Sequence, residues 1–112
     1  MSNDPALSKQ ARELIADPNN TIFISAITMW EIWLKKSLGK LELPDNFEEA
    51  LSKESFESLP LSSAAAKGVA ELPWLHRDPF DRVLIAQARE SKLWLITADK
   101  EVAAYGHGVQ LT

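Results

Sequence analysis

The sequence predicts an α/β domain built around a mostly parallel sheet. Short apolar segments with strand character alternate with segments of helical periodicity along the chain. In one place a strand leads directly into a helix, since the apolar run 21–24 is followed at once by Ser25 and a helix-forming segment. Such alternation is typical of βα units, which place chemically active residues at the carboxyl ends of parallel strands. The 112 residues, 46% of them hydrophobic, are sized for a single domain spanning 1–112.

The first half of the chain predicts three helices and two strands. Ser25 can cap the second helix, and Gly39 ends it after two lysines in the last turn. Pro44 opens the third helix, and the segment after it alternates apolar and polar residues as a strand does. The expected elements are a helix over 5–15, a strand over 21–24, a helix over 26–38, a helix over 46–53 and a strand over 56–61.

The second half continues the alternation. Ser62 and Ser63 can cap a helix, and Asp78 followed by Pro79 is the pattern of a cap residue with proline in the first turn. Gly106 ends a short helix near the C-terminus. The expected elements are a helix over 64–71, a loop over 73–77, a helix over 79–91, a strand over 94–98, a helix over 100–104 and a strand over 109–112.

The composition excludes several kinds of site. The chain has no cysteine, so disulfides, thiolate metal sites and thiol nucleophiles are absent and any metal is held by oxygen. A formal net charge of −4 argues against a broad electrostatic grip on nucleic acid, although a small basic rim could bind phosphates locally. No apolar run approaches the roughly 20 residues that cross a bilayer, so we expect a cytoplasmic protein with no membrane contact.

Three carboxylates stand beside predicted core segments. Glu31 lies within a Trp- and Ile-rich helix, Asp81 lies in the first turn of the helix at Pro79, and Asp99 directly follows an apolar strand. Burying a carboxylate costs several kcal/mol unless it is paired or neutralised. Because strand ends and the helices that follow them can meet at one sheet edge, the three acids could share a metal ion.

Each acid also has a simpler interpretation. Glu31 is spaced to pair with Lys35 on a helix surface, Asp81 suits the helix dipole, and Asp99 can cap the helix at 100. Asp78 is most simply the cap of its own helix. Taken together, however, the three acids favour a hard cation such as Mg²⁺ or Mn²⁺, which prefers oxygen ligands.

Three segments carry a resemblance to a known family. They are Ile-Ser-Ala-Ile-Thr-Met-Trp-Glu-Ile at 24–32, His-Arg-Asp-Pro-Phe-Asp-Arg-Val-Leu-Ile-Ala-Gln-Ala at 76–88 and Leu-Ile-Thr-Ala-Asp at 95–99. In combination they closely resemble the PIN-domain family, in particular VapC-like toxins of type II toxin–antitoxin pairs. The resemblance runs from about Asp4 to the C-terminus. It implies a three-layer α/β fold with a mostly parallel sheet, and an endoribonuclease that uses Mg²⁺ or Mn²⁺.

The resemblance also implies roles for particular residues. Glu31, Asp81 and Asp99 match three members of the family's catalytic and metal-binding acids. Thr97 matches a neighbour of the site that contacts water or phosphate, and Arg82 is a further phosphate or carboxylate partner. The implied partners are an RNA substrate, a cognate antitoxin protein and a second copy of the chain in a homodimer.

One part of the family pattern is not found in this sequence. Family members begin with a strand that carries a further aspartate, and Asp4 does not replace it because Pro5 and the helix after it place Asp4 in a loop. We therefore expect an N-terminally truncated chain whose true start lies upstream, with the first, central strand absent and activity impaired. The alternative is a catalytically inactive remnant that binds an antitoxin or dimerises through exposed Trp, Leu and Met side chains.

Overall fold

A computed structural model describes residues 9–75, 77–97, 100–106 and 109–111. The elements follow the predicted order of helices and strands. The first four residues of the expected helix at 5–15, and the expected site residue Asp99, lie outside the described residues. The elements are α1 (Lys9–Ala16), β1 (Phe23–Ser25), α2 (Ala26–Ser37), α3 (Phe47–Ser52), β2 (Glu57–Leu59), α4 (Ser63–Gly68), a 3₁₀ turn (Val69–Glu71), α5 (Pro79–Glu90), β3 (Leu95–Thr97), α6 (Lys100–Ala103) and β4 (Val109–Leu111).

The strands pair in parallel, as the alternation of strands and helices predicts. β1 pairs with β2 so that Phe23 lies opposite Glu57, and β3 pairs with β4 so that Leu95 lies opposite Val109. Within the described ranges these are two separate two-stranded sheets. The α/β class is therefore confirmed, while the three-layer arrangement and the absent central strand stay predictions.

The main core lies against α5. Ile85 is completely buried, and it packs in a cluster with side chains from the 3₁₀ turn, α6 and β4. Fully burying an aliphatic side chain of this size contributes about 1.5–3 kcal/mol to stability. Packing of Ile85 in this cluster therefore fixes the position of α5, and with it the first turn that carries Asp81. The buried members of the cluster are Leu72, Ile85, Ala86, Val102, Tyr105 and Val109.

The longest helices, α2 and α5, each contain 12 residues. No helix in the described part of the chain is long and apolar enough to cross a membrane.

Candidate functional site

Glu31 lies on the second turn of α2, where its carboxylate pairs with Lys35. The Lys35 Nζ atom donates to Glu31 Oε2 at 2.7 Å, and the glutamate side chain is only 20% exposed. The pair expected from the i,i+4 spacing is therefore present. Glu31 nevertheless differs from the glutamates of the two i,i+4 pairs in helices α1 and α3, whose side chains are 67% and 69% exposed.

The first turn of α5 is fixed by Asp78, as the sequence predicts. The Asp78 Oδ1 atom accepts hydrogen bonds from the backbone N–H groups of Phe80 (2.9 Å) and Asp81 (3.3 Å), and Pro79 follows the cap. These bonds satisfy donors that the helix itself leaves unpaired. Because the Asp81 N–H is one of them, the cap orders the backbone that carries the Asp81 side chain.

The pKa of Lys35 is affected by acidic residues of α2 and of the start of α5. Its pKa is raised, first by the hydrogen bond to Glu31, against an opposing effect of desolvation, and further by the negative charges of Glu31, Asp78 and Asp81. The negative charges that raise this pKa come from residues of α2 and of the start of α5. We call Glu31, Asp78 and Asp81 around Lys35 the carboxylate cluster.

An aromatic contact joins the two helices beside this cluster. Trp30 and Phe80 pack edge to face with ring centroids 5.1 Å apart and planes at 66°. Each ring belongs to the residue that directly precedes a site acid, Glu31 in α2 and Asp81 in α5. Such pairs contribute about 0.5–1.5 kcal/mol beyond their buried area. The contact therefore helps to set the relative position of the two acidic side chains, a role that the sequence did not reveal.

Gln87 links the carboxyl ends of β1 and β2 to α5. Ser25, which caps α2 through the Ile27 N–H, donates its hydroxyl to Gln87 Oε1. The Gln87 Nε2 atom donates to the carbonyls of Leu59 and Pro60, each at 3.2 Å. Gln87 is 2% exposed. Its position as the one polar residue in the apolar run 83–88 could have indicated from the sequence that it makes buried hydrogen bonds. The network holds α5 at the strand ends.

Arg82 is directed into the protein. It is 2% exposed, and its guanidinium donates to the backbone carbonyls of Pro73 (2.9 Å), Val69 (2.9 Å) and Leu72 (3.4 Å). It also donates to the Tyr105 hydroxyl at 3.0 Å and lies 3.8 Å from the centre of a Trp74 ring. The observed contacts are those of a structural residue, and the predicted contact with a phosphate would require these bonds to break.

Of the two remaining predicted residues, only Thr97 is described. Thr97 is the last residue of that strand and is partly buried. Asp99 lies outside the described residues. Of the predicted ligands, Glu31 and Asp81 lie on α2 and α5, the helices joined by the Trp30–Phe80 contact. The described part of the chain contains no group of three His, Asp or Glu residues that could hold a metal ion.

The donors that are described fit a hard divalent cation. Mg²⁺ is usually held by one or two carboxylates together with water and phosphate oxygens, and Glu31 and Asp81 supply that kind of ligand. The Asp78 carboxylate is used by backbone donors instead. The ammonium group of Lys35 lies beside Glu31, so one of these carboxylates already has a cationic partner.

The fold is that of a small α/β domain with paired parallel strands, and two of the predicted acids, Glu31 and Asp81, lie on helices that contact each other. The family model of the PIN domain matches residues 1–108, and the chain belongs to this family. PIN domains are generally nucleases that depend on divalent metal ions, so membership indicates nuclease activity in the broad sense. Comparison with curated proteins gives no match.

Proposed function

We propose that the protein is a metal-dependent endoribonuclease toxin of the VapC-like type, acting in the cytoplasm and controlled by a cognate antitoxin. The observation that carries the proposal is that α2 and α5 contact each other through Trp30 and Phe80, the residues that directly precede Glu31 and Asp81. Family membership supports the nuclease class. The toxin role and the RNA substrate follow from the resemblance of the segments around these acids.

The proposed chemistry is hydrolysis of an RNA phosphodiester bond. Glu31, Asp81 and Asp99 would hold Mg²⁺ or Mn²⁺, which when bound lowers the pKa of a water molecule and stabilises charge on the phosphate. The chain's own contribution is positional. Asp78 orders the backbone of Asp81, the Trp30–Phe80 contact joins the helices that carry the acids, and Thr97 would contact the phosphate or the water.

We further propose that a complete site includes a fourth carboxylate on an additional parallel strand. Each described sheet has only two strands of three residues, and sheets this small are marginal without further strands or packing. A strand between β1 and β3 would give both of them a second partner. Without it the site would have fewer ligands and weaker activity.

The test is RNA cleavage with Mg²⁺ or Mn²⁺ by this chain and by a version extended with an aspartate-bearing strand. We expect cleavage by the extended form, and we expect Asp81→Asn to reduce it about 100-fold or more because a metal ligand is lost. Asp45→Asn removes the same charge from an exposed turn and serves as control. Undiminished cleavage by Asp81→Asn, with a native circular dichroism spectrum, would overturn the assignment of Asp81.

A second function is supported by exposed aromatic and aliphatic side chains. Trp74 is 76% exposed, and Leu75 and Trp94 are also largely exposed. Large exposed apolar groups mark interaction sites, so a catalytically inactive form would bind an antitoxin or a second copy of the chain. Absence of cleavage by both the original and the extended chain, with both folded and dimeric by light scattering, would favour this function.

A further inference from the structure

The ion pair of Glu31 with Lys35 is tighter than the other pairs of the same spacing. Its N–O distance is 2.7 Å, against 3.8 Å for Lys9–Glu13 and 3.6 Å for Lys53–Glu49. Lys35 is also 48% exposed, whereas the other two lysines are 91% and 73% exposed. The ammonium group is therefore held against one defined oxygen of Glu31.

That oxygen belongs to a residue assigned as a metal ligand. A divalent ion at Glu31 and the ammonium group of Lys35 would be like charges a few ångströms apart, and both would draw on one carboxylate. Repulsion at such distances is substantial near a protein surface, where screening is weaker than in bulk water. The lysine has a flexible four-carbon stem and a half-exposed side chain, so the ammonium group can move to solvent.

We propose that Lys35 is a built-in counter-ion for the metal site: it occupies Glu31 when no ion is bound, and a divalent ion must displace it. The inference rests on the proposed function, since it takes Glu31 to be a metal ligand. Lys35 is a positioning residue in this account, because it acts through Glu31. Its effect is to lower the affinity for the ion and so to raise the ion concentration at which the site fills.

The test measures Mn²⁺ binding directly, without cleavage. Free Mn²⁺ is followed by electron paramagnetic resonance during titration of the wild-type chain and of Lys35→Gln. We expect the variant to bind roughly 3- to 10-fold more tightly, because both the competing contact and the repulsion are removed. Lys35→Arg keeps the charge and the reach to Glu31, so its affinity should stay close to that of the wild type.

Two further variants separate this effect from a general loss of positive charge. Lys36→Gln removes a charge from the same helical turn, and Lys53→Gln breaks the corresponding pair with Glu49 in α3. Both should stay within about twofold of the wild type, because exposed charges are strongly screened. Circular dichroism spectra check that all variants are folded.

The outcomes distinguish the two proposals. Saturable Mn²⁺ binding by the wild type with an unchanged or weaker affinity in Lys35→Gln would overturn the role of Lys35 and leave the metal site in place. An equal gain in Lys35→Gln and Lys36→Gln would also overturn it. If neither the wild type nor Lys35→Gln binds Mn²⁺, the role of Lys35 is overturned, and cleavage by the extended form then decides the proposed function separately.

Discussion

Arg82 shows how a single side chain can match a family motif and still serve the fold. The sequence suggests a phosphate or carboxylate partner, because guanidinium groups commonly bind such anions. In the structure its two terminal nitrogens donate to the carbonyl of Val69, which begins the 3₁₀ turn, and to those of Leu72 and Pro73, which follow the turn. A buried cation costs several kcal/mol unless it is hydrogen-bonded, and these carbonyls provide that compensation.

We predict that Arg82→Lys lowers the free energy of unfolding by about 2–4 kcal/mol. The lysine keeps the charge but cannot reach several carbonyls and the Tyr105 hydroxyl with one ammonium group. Urea unfolding followed by tryptophan fluorescence measures the change. Arg77→Lys makes the same replacement at an exposed position and should change stability by less than about 0.5 kcal/mol. A stability loss that is equally small in both variants would show that the Arg82 contacts contribute little.

Glu31 and Gln87 mark the limit of what the sequence predicts for single residues. The spacing of Glu31 and Lys35 predicts their ion pair, and the pair is observed. The spacing could not show that Asp78 and Asp81 also raise the pKa of Lys35, because that depends on how α2 packs against α5. The bonds of Gln87 to the end of β2 likewise join positions that are 27 and 28 residues apart.

Helix starts were predictable because the cap residues act locally. Ser25 caps α2, Ser62 caps α4 and Asp78 caps α5, each by accepting a nearby backbone N–H. The expected helix over 64–71 instead divides into α4 and a 3₁₀ turn. At this point the Val69 carbonyl accepts a hydrogen bond from the guanidinium of Arg82. The two residues are 13 positions apart, so the sequence around Val69 does not predict this bond.

Strand bounds were less predictable than helix starts. A strand was expected over 21–24, whereas the observed strand β1 spans Phe23–Ser25. The observed strand therefore begins two residues later and ends one residue later than expected. The strand expected at 56–61 is reduced to Glu57–Leu59. In both cases the bounds are set by pairing between the two strands, with Phe23 opposite Glu57. Pairing across more than 30 residues leaves no signal in either segment alone.

We predict that Asp78→Ala destabilises the protein by about 1 kcal/mol, because two N–H groups of α5 lose their acceptor. Asp78→Asn should retain most of the stability, since asparagine is an equally good cap. The matched control is Asn46→Ala, because Asn46 stands at the cap position of α3 but makes no side-chain cap bond. Thermal unfolding by circular dichroism measures all three. Equal losses in Asp78→Ala and Asn46→Ala would contradict the role of the Asp78 cap.

In the described part of the chain, the domain has a hydrophobic core around Ile85 and two sheets of two strands each. The core around Ile85 depends on side chains from α5, α6, β3, β4 and the 3₁₀ turn. The sequence shows its apolar residues as periodic patterns but does not show which of them contact one another. The α/β class follows from the alternation of elements and is confirmed, and the family match agrees with the resemblance of the three segments. The arrangement of the two sheets is a long-range property, and the sequence pattern alone does not determine it.

We predict that Mn²⁺ raises the unfolding temperature of the whole domain. A ligand that binds only the folded state at about 100 times its Kd adds about 2.7 kcal/mol of stability. For a domain of this size that is a rise of roughly 10 °C. Differential scanning fluorimetry across a Mn²⁺ series measures it.

The variants of the acidic site make this whole-domain measurement specific. In Asp81→Asn the rise should shrink strongly because a ligand is removed, whereas Asp45→Asn should show the full rise. Equal rises in wild type and Asp81→Asn would place the ion elsewhere on this acidic protein, whose net charge of −4 attracts cations without a built site. No rise in the wild type would favour the inactive binding module, because a partner-binding surface needs no ion to be stable.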